Sequence, residues 1–167
     1  MIETNRLLIK PLTLLELQKL ASVPDDLARD LGLSPSESLT DEATLDAIVN
    51  TLLPQLEDPG NNPFFWTMWI IIEKSSLAIA GGICFHGGPD ENGEVEIGYG
   101  TDEGFRNKGI MTETIAGMLK WLRDQDQIKC VMAETDLSNP SSIRVLEKNN
   151  FTETGRNGSA VFLKHLL

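Results

Sequence analysis

The sequence predicts a single α/β (α+β) domain with a mixed, mostly antiparallel sheet of six or seven strands flanked by about four helices. Three observations carry that prediction. The 167 residues fit one domain, since domains usually run about 100 to 200 residues. Strand-like and helix-like periodicities interleave in the order strand, two helices, three strands, helix, strand, helix, two strands. The consecutive strands in the middle, joined by turns as hairpins, argue against a pure doubly wound sheet, which alternates strand and helix throughout.

Residues Ile2–Lys10 read as a first strand closed by Pro11, which cannot continue a ladder. Thr13 suits an N-cap for a helix through Leu14, Leu17 and Leu20, and a second helix is predicted over Asp41–Leu56, opened by Thr40 and broken by Pro59-Gly60. A polar, Ser/Pro-rich loop lies between them. Phe65–Glu73 and Leu77–Phe85 are apolar runs split by Lys74-Ser75-Ser76, the pattern of a hairpin. Glu94–Thr101 alternates strictly, with Glu94 and Glu96 on one face and Val95, Ile97 and Tyr99 on the other. A helix with Ile115, Met118, Leu119 and Leu122 at spacings of three and four runs to about Gln125, and Ile128–Thr135 follows as a strand. Asn139-Pro140 opens a last helix to Lys148, with proline at its favoured first position. Phe151–Gly155 and Ala160–Leu166 close the chain as strands.

Composition narrows the function classes. Fourteen Lys plus Arg against 25 Asp plus Glu give a net charge of −11, which disfavours a general binder of nucleic-acid phosphates. Such a surface attracts cations, amines among them, or simply keeps the protein soluble. Cys84 and Cys130 sit in apolar runs without metal or redox spacing and read as reduced core residues. The start Met-Ile-Glu-Thr-Asn-Arg lacks the layout of a secretory signal, and no apolar run is long enough to span a bilayer. The chain therefore reads as cytoplasmic, with no membrane and no nucleic-acid partner. His86 and His165 stand alone, read as structural or surface residues, and have no companions at metal-ligand spacing.

The segment Arg106-Asn107-Lys108-Gly109-Ile110-Met111-Thr112 lies between a strand and a helix, where backbone N–H groups and the positive end of the helix dipole converge. Gly109 lets the chain approach a phosphate or turn left-handed, and Arg106 and Lys108 add charge. The alternative reading is a basic solvent turn with a glycine kink and Thr112 as a helix cap.

Glu96-Ile97-Gly98-Tyr99 followed by Arg106-x-x-Gly109-x-Met111 resembles the central motif of the GCN5-related N-acetyltransferases, whose signature is Q/R-x-x-G-x-G/A. Asn139-Pro140-Ser141-Ser142 through Leu146-Glu147-Lys148-Asn149-Asn150-Phe151 resembles the family's N-x-x-S-x-x-x-L-E-K-x-G-F element. Glu3-Thr4-Asn5-Arg6-Leu7 resembles the opening of the subgroup that includes ribosomal-protein N-terminal acetyltransferases. The resemblance implies a sheet whose central parallel strands splay apart. It also implies acetyl-CoA as co-substrate, no metal, and an amine-bearing acceptor that is a small molecule or a protein N-terminus. The turn Arg106–Thr112 would hold the pyrophosphate, the main chain of Tyr99 and Thr101 would pair with the pantetheine arm, and Asn139 and Ser142 would lie near the sulfur.

Acetyl transfer needs a neutral amine, so the site needs a base near the fourth strand. Glu96 is the candidate, acting directly or through a water, with Glu94 two residues earlier as a binder of the cationic acceptor; otherwise both are solvated face residues. A backbone N–H near Ile97 to Tyr99 would stabilise the developing oxyanion. Phe64 and Trp66 are candidates for an acceptor pocket, with core packing as the alternative. Asn139 also suits a helix cap. The chain departs from the family pattern at Met111, at Asn150, and in having no tyrosine on its last helix, the sole tyrosine being Tyr99. The alternative function is therefore an acyl-CoA-binding regulatory module with little or no catalysis. A nucleotide-binding protein is a distant third, because the full Walker spacing is missing. Sheet edges in such a fold often pair, which points to a homodimer.

Overall fold

The computed structural model describes residues 1–36 and 39–167; Glu37 and Ser38, within the polar loop, lie outside the described residues. Among the described residues there is one eight-stranded sheet: β1 (Ile2–Glu3), β2 (Leu7–Pro11), β3 (Met68–Glu73), β4 (Ala78–Phe85), β5 (Glu94–Thr101), β6 (Cys130–Asp136), β7 (Thr152–Asn157) and β8 (Ala160–Leu166). Their spatial order is β1-β2-β3-β4-β5-β6-β8-β7. All neighbours are antiparallel except β5 and β6. α5 (Ile110–Arg123) and α6 (Pro140–Lys148) cover one face. The other face of β2 to β4 is covered by α1 (Leu14–Ser22), α2 (Pro24–Asp30), α3 (Glu42–Ala47) and α4 (Leu53–Leu56).

Two sequence expectations need correction at the sheet edge. The first strand is two strands, because Thr4 turns the chain: its N–H donates to Leu7 O at 2.9 Å and its hydroxyl accepts from Leu7 N at 3.1 Å. Pro11 is the last residue of β2, opposite Trp69, rather than the residue beyond it. In the third strand the ladder begins at Met68, since Pro63–Phe65 form a 3-10 turn capped by Asn62.

The helical layer differs as well. Asp41, not Thr40, caps α3 by accepting from Thr44 N. The predicted Asp41–Leu56 helix widens at Ile48–Leu52 into a π turn, where Leu53 N–H bonds to Ile48 O. Pro54 has no N–H for the α ladder and its ring crowds the preceding turn, which accounts for the wider winding. α2 was not predicted, although Pro24 at its first position and Asp25 and Asp26 in its first turn are ordinary start signals. α1 follows the prediction, with Thr13 and Glu16 forming a capping box.

β5 matches its predicted span and faces. It pairs with β6 only at Glu94, Val95 and Glu96, while Ile97–Thr101 pair with β4 alone. The two strands therefore splay from Ile97 onward. On the other side β4 carries a bulge around Ala80, with a register shift against Ile71 and Ile72, and bulges increase local twist. Gly81 is required there: its φ is 146°, and a Cβ would lie 2.2 Å from Gly100 O. Cys84 and Cys130 are unbridged, and burial pushes the Cys84 thiol up to about 11. No described helix is long and apolar enough to cross a membrane.

Candidate active site

The splay opens into a cavity of about 650 Å³ bordered by β5, the turn before α5 with its first residues, and α6 along its length. Ten of the sequence-predicted residues line it: Tyr99, Thr101, Arg106, Asn107, Gly109, Ile110, Met111, Thr112, Asn139 and Ser142. Sequence reasoning missed Phe105, Arg144 and Lys148, which also line it. Arg144 and Lys148 stand four residues apart, one helical turn, on α6, a spacing that the family element through Asn139 and Ser142 does not single out.

The turn before α5 is built by two left-handed residues, Asn107 (φ 60°) and Gly109 (φ 75°), of the types that tolerate this region best. No side chain caps α5, so the N–H groups of Ile110, Met111 and Thr112 have no partner within the helix and combine with the dipole into an anion-binding end. Lys108 does not border the cavity as predicted. Its ammonium lies 5.4 Å over the Phe105 ring, and its carbonyl accepts from Arg6 at 3.0 Å. Arg6 also grips Glu113 on the first turn of α5 at 2.7 Å, and the same carboxylate accepts from Thr4. Burial opposes the charge on Glu113, but the hydrogen bonds from Thr4 and Arg6 outweigh it and hold the carboxyl below its ordinary value. Met111 is 5% exposed and packed in the core.

Across the cavity, Asn139 caps α6 by accepting from Ser142 N at 3.1 Å. Asn149, buried near the other end of that helix, donates to Thr112 O at 3.2 Å and so ties α6 to the start of α5. The following Asn150 takes the left-handed conformation (φ 61°). The Tyr99 hydroxyl reaches from β5 to the Ser142 hydroxyl, 2.8 Å away. Burial pushes the Tyr99 phenol above its ordinary value, with the Ser142 contact working against that shift. Because His86 N–H donates to Glu96 O, Glu96, Gly98 and Gly100 turn their backbone groups to β4. Ile97, Tyr99 and Thr101 turn theirs to the splay, where Thr101 O accepts from Arg106 at 3.2 Å.

Glu96 lies on the opposite face of β5 from Tyr99, beside the point where the strands part. Its carboxylate is 2.9 Å from His86 Nδ1, a partner that reading His86 as isolated had missed. The β4–β5 register, Phe85 opposite Ile97, places His86 opposite Glu96. Glu94, on the same face, is engaged by Lys164 of β8. Phe64 and Trp66 stand apart. Phe64 stacks with Trp69 and Trp121, and Trp66 packs on the α5-side core near Gly87 and Gly88, so neither lines the cavity or joins Glu96. His165 is buried against Phe151 and Arg123. Among the described residues no group of His, Cys, Asp and Glu could hold a metal ion.

Residues 6–152 match the family described as acetyltransferase (GNAT) domain. The chain is 28% identical over 151 residues to an uncharacterized N-acetyltransferase, YjdG, of Bacillus subtilis (strain 168), covering 90% of this chain and 89% of that protein. Among solved structures it resembles RimL, the ribosomal L7/L12 alpha-N-protein acetyltransferase, in complex with coenzyme A. The TM-score is 0.68 at 20% identity, over 98% of this chain and 96% of that one. It also resembles the microcin C7 self-immunity acetyltransferase MccE in complex with acetyl-CoA and AMP, with a TM-score of 0.66 at 16% identity over 98% and 94%.

Proposed function

The chain belongs to the GNAT acetyltransferase family, and we propose that it moves the acetyl group of acetyl-CoA to a primary amine by direct attack, the acceptor being a protein N-terminus or a small-molecule amine. The observation that carries this reading is the splay cavity, which joins an uncapped helix N-terminus to a half-buried hydroxyl pair. The site fits the donor: the Asn107–Thr112 turn and Arg106 suit its pyrophosphate, and the open edge of Ile97, Tyr99 and Thr101 offers amide partners to an extended arm. Bound acetyl-CoA supplies an activated carbonyl and a thiolate leaving group.

The residues of the chain do the rest. The backbone N–H groups of Ile97 and Tyr99 face the gap, where one of them stabilises an oxyanion. Ser142 and Tyr99 form the hydroxyl pair on the sulfur side, and the raised Tyr99 phenol keeps its proton at neutral pH. Glu96 supplies the basic side on the acceptor face. Met111, buried in the core, leaves the phosphate turn clear, and Tyr99 brings from β5 the phenol that the last helix lacks. Both features weigh against the regulatory-module alternative. The subgroup resemblance, and the likeness to an acetyltransferase of a ribosomal-protein N-terminus, favour an N-terminal amine.

The test is release of free thiol from acetyl-CoA with peptides bearing N-terminal Ser or Ala, beside spermidine and an aminoglycoside. Turnover of one acceptor class, lowered in Glu96→Gln with unchanged acetyl-CoA affinity, is the expected result. Binding of acetyl-CoA with no turnover across the panel would point to the regulatory module.

A further inference from the structure

We infer that His86 is the catalytic base of the reaction proposed above, on which this inference rests, and that Glu96 acts through it as a positioning residue. The two side chains face each other across β4 and β5, with Nδ1 2.9 Å from the carboxylate. They are also locked by the backbone bond from His86 N–H to Glu96 O at 3.0 Å. A carboxylate at Nδ1 selects the tautomer with its proton there and leaves the lone pair on Nε2.

The position of Nε2 is set by Gly98. A Cβ on that residue would lie 2.5 Å from Nε2 and 3.3 Å from Cε1, so the imidazole lies against the β5 backbone through space that any other residue would fill. Gly98 lies two residues past Glu96, the last residue of β5 that pairs with β6. Nε2 therefore stands at the mouth of the splay on the face opposite Tyr99 and Ser142. It makes no hydrogen bond to any described residue, and the His86 side chain is 53% exposed, so an incoming amine can reach it. Glu96, by contrast, already has one oxygen committed to the ring, and Glu94 is committed to Lys164.

In the step, the amine nitrogen forms the C–N bond to the thioester carbonyl carbon, and the C–S bond breaks with its electron pair left on sulfur. The proton lost by nitrogen goes to Nε2 and the sulfur takes one from the Tyr99–Ser142 side; proton return through solvent restores both groups. The net products are the amide and the free thiol.

The experiment compares wild type, His86→Ala, Glu96→Gln and the double variant by acetyl-CoA titration and by thiol release with the panel amine that wild type turns over best. The expected result is a kcat/KM loss of about 100-fold or more in His86→Ala, unchanged acetyl-CoA affinity, partial recovery with added imidazole, and no further loss in the double variant. His86→Ala within a few-fold of wild type, or a loss that imidazole does not touch, would overturn the inference while leaving the acetyltransferase reading intact. Absence of acetyl-CoA binding or of any turnover by wild type would overturn both. Melting temperatures of the variants show that each is folded.

Discussion

At the scale of single residues the site depends on a few groups held in uncommon states. Gly109 (φ 75°) has room for a side chain, since a Cβ would meet nothing nearer than Arg6 Nη2 at 3.5 Å. Gly109→Ala is thus expected to fold with a loss of about 1–2 kcal/mol from the left-handed backbone alone, measurable by urea unfolding. Arg6 holds both Lys108 O and Glu113, so Arg6→Ala should loosen the turn. The expected outcome is weaker acetyl-CoA binding with a stability loss of only about 1 kcal/mol, checked by titration and melting on one sample. Tyr99→Phe removes one member of the hydroxyl pair and should lower turnover at saturating acetyl-CoA more than it changes affinity. Because burial pushes the Tyr99 phenol above its ordinary value, it should stay protonated through the neutral range and contribute no alkaline limb there. Much of this site was legible as residue types at family spacing. Arg6 and His86 were not, because His86 meets Glu96 through the β4–β5 register and Arg6 meets Lys108 and Glu113 only where α5 packs against the start of the chain.

At the scale of elements, legibility followed the strength of the local pattern. Glu94–Thr101 and Ala160–Leu166 coincide with their predictions, because alternation pins both the period and the buried face. The first strand broke where Thr4 satisfied the backbone of Leu7, a competition between side chain and ladder that an apolar pattern does not report. The π turn in the long second helix is hidden because the apolar periodicity continues on both sides of Pro54. α5 crosses β1 and β2 closely at Gly117, where a Cβ would lie 2.9 Å from Thr4 Cγ2 and 3.4 Å from Ile9 Cδ1. Gly117→Val is expected to destabilise by about 1–3 kcal/mol through overpacking, read from the denaturant midpoint. It should also weaken acetyl-CoA binding, because α5 carries the phosphate turn at its start.

At the scale of the molecule, the sheet ends in two unlike edges: β1 has two residues and β7 is polar and largely exposed. Acid stability follows from carboxylates held at loop ends. Hydrogen bonds from Ser138 and Ser159 hold Asp136 down at about 2, and those from Ser76 and Ser75 hold Glu73 at about 2. Their folded values lie below the ordinary 3.8 and 4.5, so their stabilisation is complete above those values and lost as pH falls toward 2. The melting temperature is expected to stay level from neutral pH to about 5 and to drop below the ordinary carboxylate values, with a shallower drop in Asp136→Asn. The central claim is that the splay between β5 and β6, with the turn before α5, is a coenzyme A site. Calorimetric titration with acetyl-CoA tests it most directly, on wild type beside Gly109→Trp, which blocks the turn, and Arg106→Glu, which reverses its charge. Saturable binding by wild type, lost in the first variant and weakened in the second while both remain folded, is the result expected. No binding by wild type at millimolar acetyl-CoA, or undiminished binding by both variants, would contradict it.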